Sequence, residues 1–251
     1  MLDLSFINER LTSESKFYNK IYYFDSIDST NSEGMVNNYP YFSVIIAKTQ
    51  TSGKGRSGRV WYSTVPENIY LSFIMPPFHT EKLLPLNILT AYSIVEGLKS
   101  IIDLRIKWPN DLVVNKKKIG GILLESKFLG NKLEKVVVGV GLNVNQEFFD
   151  NSLEKIATSI FIETNLKQNI SEIACNIIVS FEIFFQQFLK NSIDIIEKWC
   201  NYSENLGKQI KIHINGDKKT FTEKGITEQG ELLVLDENGF EKKIISGDID
   251  L

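Results

Sequence analysis

The chain has 251 residues, of which 43% are hydrophobic, 11% aromatic and 24% charged. A chain of this length buries roughly 70–75% of its unfolded surface, and the composition excludes wholesale disorder, collagen-like repeats and a disulfide scaffold. With 28 basic against 31 acidic residues the net charge is −3, so the protein does not coat nucleic acid by bulk charge; work on phosphates falls to a few cations placed locally.

In chain order, Ile21–Phe24 reads as a strand, and the polar run Asp25-Ser26-Ile27-Asp28-Ser29-Thr30-Asn31 predicts a cap and a short helix from about Thr30. Tyr41–Ala47 is β-branched and aromatic, a buried strand. The loop Gln50–Val60 precedes a strand over Asn68–Met75, which Pro76-Pro77 ends. Leu84–Ile102 has helical apolar spacing, with Pro85 in the first turn. Short strands follow over Leu104–Lys107, Leu112–Val114, Lys118–Phe128 and Lys135–Asn143. That meander, with helices elsewhere, predicts an α+β fold and a mainly antiparallel sheet. Ile173, Ala174, Ile177, Ile178, Phe181, Phe184, Phe185 and Phe188 form one face of an amphipathic helix, and a second helix covers about Ser192–Tyr202. From Gly207 four short strands are expected, Lys208–Ile214, Lys219–Ile226, Glu231–Leu235 and Glu241–Ile249, with turns such as Asn215-Gly216-Asp217. They read as a small barrel of about 45 residues that leans on the main domain.

Cys175 and Cys200 lack CxxC spacing, which favours a reduced, cytoplasmic protein. His79 and His213 are far apart, against a histidine metal cluster. The charged N-terminus has no apolar signal core, and no run of about 18 apolar residues appears, so no membrane span is expected.

Four segments stand out. Gly53-Lys54-Gly55-Arg56-Ser57-Gly58-Arg59-Val60 fits G-x-G-x-x-G, but the helix a dinucleotide fingerprint needs does not follow. Lys48, Lys54, Arg56 and Arg59 nevertheless put four cations into a stretch without an acid. Such a loop either wraps a polyanionic small molecule or is a solvated surface loop. Arg105-Ile106-Lys107-Trp108-Pro109-Asn110-Asp111-Leu112 reads as a strand and turn; Lys116 and Lys117 form a hairpin tip, and Gly120-Gly121 interrupts the next strand. Glycine weakens a strand unless something approaches its backbone. In Val136–Asn145, Gly139 and Gly141 bare one sheet face for a flat ligand or a packed helix. Ser29-Thr30-Asn31 is by itself a helix cap.

Taken in order, these segments resemble biotin–protein ligases (biotin–acetyl-CoA-carboxylase ligases). The matching pieces are Asp28–Asn31, Gln50–Arg59 with Trp61, Lys107–Asp111, Lys118–Leu123 and Gly139–Asn145, with Gly225–Leu233 similar to the family's C-terminal barrel. The resemblance implies a class II synthetase-like α+β catalytic domain over residues 1–205, with a mixed, mainly antiparallel sheet, and an SH3-like β-barrel over 206–251. It implies a ligase that uses ATP, Mg²⁺ and biotin, makes biotinyl-5′-AMP, and transfers biotin to a lysine of a biotin carboxyl carrier protein. By the same resemblance Ser29, Thr30, Asn31, Gln50, Lys54, Gly55, Arg56, Lys118, Gly120 and Gly121 hold biotin. Arg56, Arg59, Trp61, Asn110, Lys118 and Asn143 hold ATP or the adenylate. Arg56, Lys118, Lys107 and Asp111 are the catalytic set.

The chemistry fits those residues. Biotin's carboxylate is ionised at neutral pH, so the first step needs cations to offset two anions rather than a general base. In the second step Asp111 is either the proton acceptor or a turn residue. Bifunctional relatives carry an N-terminal DNA-binding domain, for which the 28 residues before Ser29 are too few; a ligase with no nucleic-acid partner is expected. An arginine that reaches the nucleotide in some relatives would lie beyond Asp250-Leu251. The rival readings are a lipoate or octanoate ligase, and a non-catalytic biotin-binding relative. A sheet edge is expected to serve both a homodimer and the carrier.

Overall fold

Strand pairing sorts the chain into two sheets in the computed structural model, which describes residues 2–214 and 216–250. Met1, Leu251 and Asn215 of the expected turn lie outside the described residues. The larger sheet contains β1 (Ile21–Ile27), β2 (Ser43–Gln50), β3 (Ile69–Met75), β4 (Arg105–Lys107), β5 (Asp111–Val114), β6 (Lys117–Leu129) and β7 (Lys132–Leu142). Its order is β1-β2-β3-β7-β6-β5-β4. β1 and β2 run parallel and the remaining pairs antiparallel, the mixed, mainly antiparallel sheet expected.

Among the described residues six α-helices complete this part: α1 (Leu4–Arg10), α2 (Thr30–Val36), α3 (Leu83–Leu98), α4 (Ile160–Thr164), α5 (Ile170–Leu189) and α6 (Ile195–Tyr202). Every residue of central β3 is buried. On one face of the sheet, Phe73 stacks on Phe181 of α5 at 4.2 Å, and Phe181 stacks on Phe185. On the other, Ile45, Ile74 and Val137 form a smaller core. Gly34 of α2 lies against Ile74, Ile45 and Val137 there. α5 is long and apolar enough to pass for a membrane helix, with a mean hydropathy of 1.3. It is not an unbroken apolar run, since Glu172, Asn176 and Glu182 interrupt it, and its apolar face is spent in the core: Ile173, Ile177, Ile178, Phe181 and Phe185 are buried.

The sheet also departs from expectation in places. β1 continues through Asp25 and Ser26, whose side chains are exposed on the edge strand and cost nothing there. α1 and α4 carry only weak apolar periodicity. They rest on side-chain caps: Asp3 accepts from the amides of Ser5 and Phe6, and Ser159 from that of Ile162. The N-terminal stretch packs back on α5, where the Glu182 carboxylate accepts from Ser15 Oγ at 2.6 Å and the Lys16 amide at 2.7 Å.

The second sheet holds β8 (Gln209–Ile214), β9 (Asp217–Ile226), β10 (Leu232–Leu235), β11 (Glu241–Ile244) and β12 (Asp248–Ile249), in the order β11-β10-β9-β8-β12. The single strand expected over Glu241–Ile249 is therefore two. After β11 the chain crosses to the opposite edge, and β12 pairs with β8. No pairing between β11 and β12 closes the ring among the described residues. The crossing delivers Asp248 and Ile249 to the larger sheet.

Candidate active site

A cavity of about 670 Å³ opens between the two sheets. Ser29, Thr30, Asn31, Gln50, Lys54, Gly55, Arg56, Arg59, Trp61, Lys107, Asn110, Asp111, Lys118, Gly121 and Asn143 all line it. Residues that sequence reasoning drew from five separate segments thus converge on one space. Gly120 is the exception. Its bare Cα faces the Gly141 carbonyl and the Leu142 and Leu112 side chains, so it serves packing on the opposite side of β6.

The two glycine questions have structural answers. A Cβ on Gly139 would sit 2.2 Å from Asn31 Oδ1, and one on Gly141 would sit 2.5 Å from the Trp61 ring. The bare face of β7 therefore receives the first turn of α2 at one glycine and an indole at the other. The Trp61 Nε1–H is buried with no hydrogen-bond partner among the described residues, and Lys118 Nζ lies 5.5 Å from the ring centroid.

The polar floor is built by α2 and β2. Ser29 caps α2. The amide and hydroxyl of Thr30 donate to Gln50 Oε1 at 2.7 and 3.2 Å, and Asn31 Nδ2 donates to the Leu123 carbonyl and Glu125. These side chains are nearly buried, so their remaining hydrogen-bonding capacity points into the cavity or to one another.

The glycine-rich segment is a folded hairpin. Lys54 bridges Val60, and the Gly55 amide donates to the Arg59 carbonyl at 2.7 Å. The tip turns at Ser57 and Gly58, whose φ of 75° is one that glycine adopts without strain. This places Arg56 over Asn110: Arg56 Nη1 donates to Asn110 Oδ1 at 3.1 Å, and Asn110 Nδ2 to the Ile122 carbonyl.

The cations meet at Asp111. Its carboxylate pairs with Lys118 Nζ at 2.5 Å and Lys107 Nζ at 3.0 Å. Burial alone would raise the pKa of this carboxyl; Lys118 and Lys107 outweigh burial and hold it below the usual carboxylate range. Asp111 opens β5, and its side chain is a counter-ion rather than a turn cap. Lys107 Nζ also donates to the Ile249 carbonyl at 2.9 Å.

Sequence reasoning missed the wall from the second sheet: His213, Asp248, Ile249 and Asp250 also line the cavity. Asp248 pairs with Arg56 and Arg59, and Asp250 pairs with His213 at 2.8 Å and Lys218 at 2.7 Å. No local motif marks these acids. Among the described residues, no group of three or more His, Cys, Asp or Glu side chains is placed to hold a metal ion. Asp111 is already taken by two ammonium groups, so this donor set does not fit a resident Mg²⁺.

Comparison with known proteins agrees with this geometry. Residues 23–143 match the biotin/lipoate A/B protein ligase family, and 206–251 match the biotin protein ligase C-terminal domain. A bifunctional ligase/repressor BirA of Bacillus spizizenii is 33% identical over 241 residues, covering 91% of this chain and 73% of that protein. The chain belongs to the biotin protein ligase family. The ligase also shares 31% identity over 123 residues with a biotin–[acetyl-CoA-carboxylase] ligase of Paracoccus denitrificans, covering 47% of this chain and 51% of that one. Its fold superposes on a biotin protein ligase from Aquifex aeolicus, solved with biotin and ATP, with a TM-score of 0.83 at 30% identity. That match covers 93% of this chain and 98% of the other.

Proposed function

We propose that the protein attaches biotin to a lysine of a biotin carboxyl carrier protein in two steps, with ATP as co-substrate. The observation that carries this reading is the convergence of Arg56, Lys107, Lys118 and the Ser29–Gln50 floor on one cavity. In the first step a biotin carboxylate oxygen bonds to the α-phosphorus of ATP, the bond to the bridging oxygen breaks, and pyrophosphate leaves. The attacking and attacked groups are both anionic. Arg56 and Lys118 offset that repulsion from fixed positions: Arg56 is held by Asn110, and Lys118 by Asp111. A Mg²⁺ would enter on the phosphates of the nucleotide as part of the substrate. Lys107, with two of its three donors taken by Asp111 and the Ile249 carbonyl, holds β12 against the site.

In the second step the neutral amine of the carrier lysine bonds to the acyl carbon, the acyl carbon–phosphate oxygen bond breaks, AMP leaves and the amine's proton passes to solvent. A carboxyl held below its ordinary range by two lysines is a poor proton acceptor near pH 7. Asp111 therefore serves as the anchor of Lys118 and not as the base. The indole of Trp61 beside Gly141, with Asn143 Nδ2 held by the Thr158 carbonyl, suits the adenine side. Beyond Ile122, whose amide and carbonyl both meet Asn110, β6 has no strand partner on its β5 side among the described residues. That edge suits strand pairing with the carrier or with a second copy of this chain. Cys175 and Cys200 are free thiols, which suits the cytoplasm.

The test is isotope exchange between pyrophosphate and ATP with biotin, lipoate or octanoate as the acid. Exchange with biotin alone is expected. Exchange with lipoate or octanoate but not biotin would overturn the assignment.

A further inference from the structure

Ser63 belongs to none of the segments that carry the family resemblance and does not line the cavity, yet it is 2% exposed and joins the two halves of the site. Its hydroxyl accepts from Gln50 Nε2 at 2.8 Å and donates to the Trp61 carbonyl at 3.0 Å, while its own carbonyl accepts from the Gln50 amide at 2.9 Å. On the far side Gln50 Oε1 takes both donors of Thr30, and Ser72 Oγ lies 2.8 Å from Thr30 Oγ1 and 2.6 Å from Asn31 Oδ1. The result is a continuous buried chain, Asn31–Ser72–Thr30–Gln50–Ser63–Trp61. It is packed tightly at its centre: a Cβ on Gly53 would lie 2.3 Å from the Trp61 carbonyl and 2.4 Å from Ser63 Oγ.

We infer that Ser63 is a positioning residue that couples the biotin and nucleotide sites. The inference rests on the ligase reading above, with Thr30 and Gln50 on the biotin side and Trp61 on the nucleotide side. A buried hydrogen-bonded chain has few alternative arrangements, because each broken link leaves a polar group unpaired. An acid that engages Gln50 and Thr30 fixes the Gln50 amide, and Gln50 in turn fixes Ser63. The Trp61 backbone is thereby held where its ring closes on the nucleotide. Coupling of this kind is reciprocal, so nucleotide must tighten biotin by the same factor that biotin tightens nucleotide.

The experiment is calorimetric titration of biotin with and without α,β-methylene-ATP, for the full chain and for Ser63→Ala. In the unaltered protein the analogue is expected to lower the biotin Kd by about tenfold or more. In Ser63→Ala the ratio is expected to fall to within about twofold of one, whatever happens to either affinity alone. An unchanged ratio in Ser63→Ala, or a ratio of one in the unaltered protein, overturns the inference. Should Ser63→Ala fold poorly, amide hydrogen exchange over residues 53–61 of the unaltered protein replaces it. Slower exchange on adding biotin alone supports the coupling, and unchanged exchange overturns it. Biotin-dependent pyrophosphate exchange by the unaltered protein, run in parallel, distinguishes failure of this inference from failure of the ligase reading.

Discussion

Two carboxylates lie near the seam between the two sheets, one lining the cavity and one fully buried, and they are treated in opposite ways. Asp111 on β5 faces two ammonium groups and is held ionised. Glu223 on β9 is fully buried and accepts a hydrogen bond from Ser203 Oγ, while its other oxygen has no partner among the described residues. Burial pushes its pKa up to about 7, against the smaller opposing effects of Ser203 and Lys208. The indole nitrogen of Trp199 and the amide nitrogen of Asn205, in the same joint, are also buried without partners. The contrast separates a site from a structural joint. Where anions are to be brought together, the protein surrounds one fixed negative charge with positive ones. Where α6 only meets the second sheet, it leaves a proton to do that work.

Removing the negative charge breaks this comparison most severely. Asp111→Ala leaves Lys107 and Lys118 uncompensated, one of them buried. An expected loss of about 3 kcal/mol in chemical denaturation follows, with pyrophosphate exchange falling at least tenfold because Lys118 loses its anchor. The two carboxyls also give stability opposite pH slopes. Asp111, with its lowered folded pKa, stabilises the fold above the ordinary aspartate range near 3.8 and loses that contribution only in acid. Glu223, raised from 4.5, stabilises the fold below pH 4.5 and loses its contribution as pH rises through about 7. Glu223→Gln is therefore expected to be more stable than the unaltered chain at pH 8, by up to ~3 kcal/mol, with little difference at pH 4. The same advantage at both pH values would show that Glu223 does not titrate with folding. The smallest effect belongs to Asp248, which pairs with the partly exposed Arg56 and Arg59. Asp248→Asn is expected to cost less than ~1 kcal/mol, a shift in Tm of no more than about 4 °C. A larger loss would mean that β12 is held mainly through this pair rather than by Lys107.

The site was legible where chemistry is written into contiguous residues. Ser29–Asn31, Gly53–Arg59, Lys107–Asp111 and Lys118–Gly121 each carry local spacing, and apart from Gly120 their proposed members face one cavity. The large sheet was legible because its strands are short apolar runs between turn residues. What lay beyond reach depends on contacts across long stretches of chain. Arg56 meets Asp248 across 192 positions, and Lys107 meets the Ile249 carbonyl across 142; nothing near Asp248 distinguishes it from a surface acid. The choice between ligand and helix over Gly139 and Gly141 likewise needed coordinates, since a missing Cβ records closeness but not its partner. Gly120 shows the same limit from the other side, for its neighbour Gly121 faces Lys118 in the cavity while Gly120 faces the core.

The central claim is that Arg56 and Lys118 bring the biotin carboxylate to the α-phosphate. Biotin-dependent ATP–pyrophosphate exchange by Arg56→Ala and Lys118→Ala measures it directly. Each is expected to lose at least about a hundredfold in kcat/KM while circular dichroism shows the fold retained. Exchange within threefold of the unaltered protein in both folded variants would contradict the account.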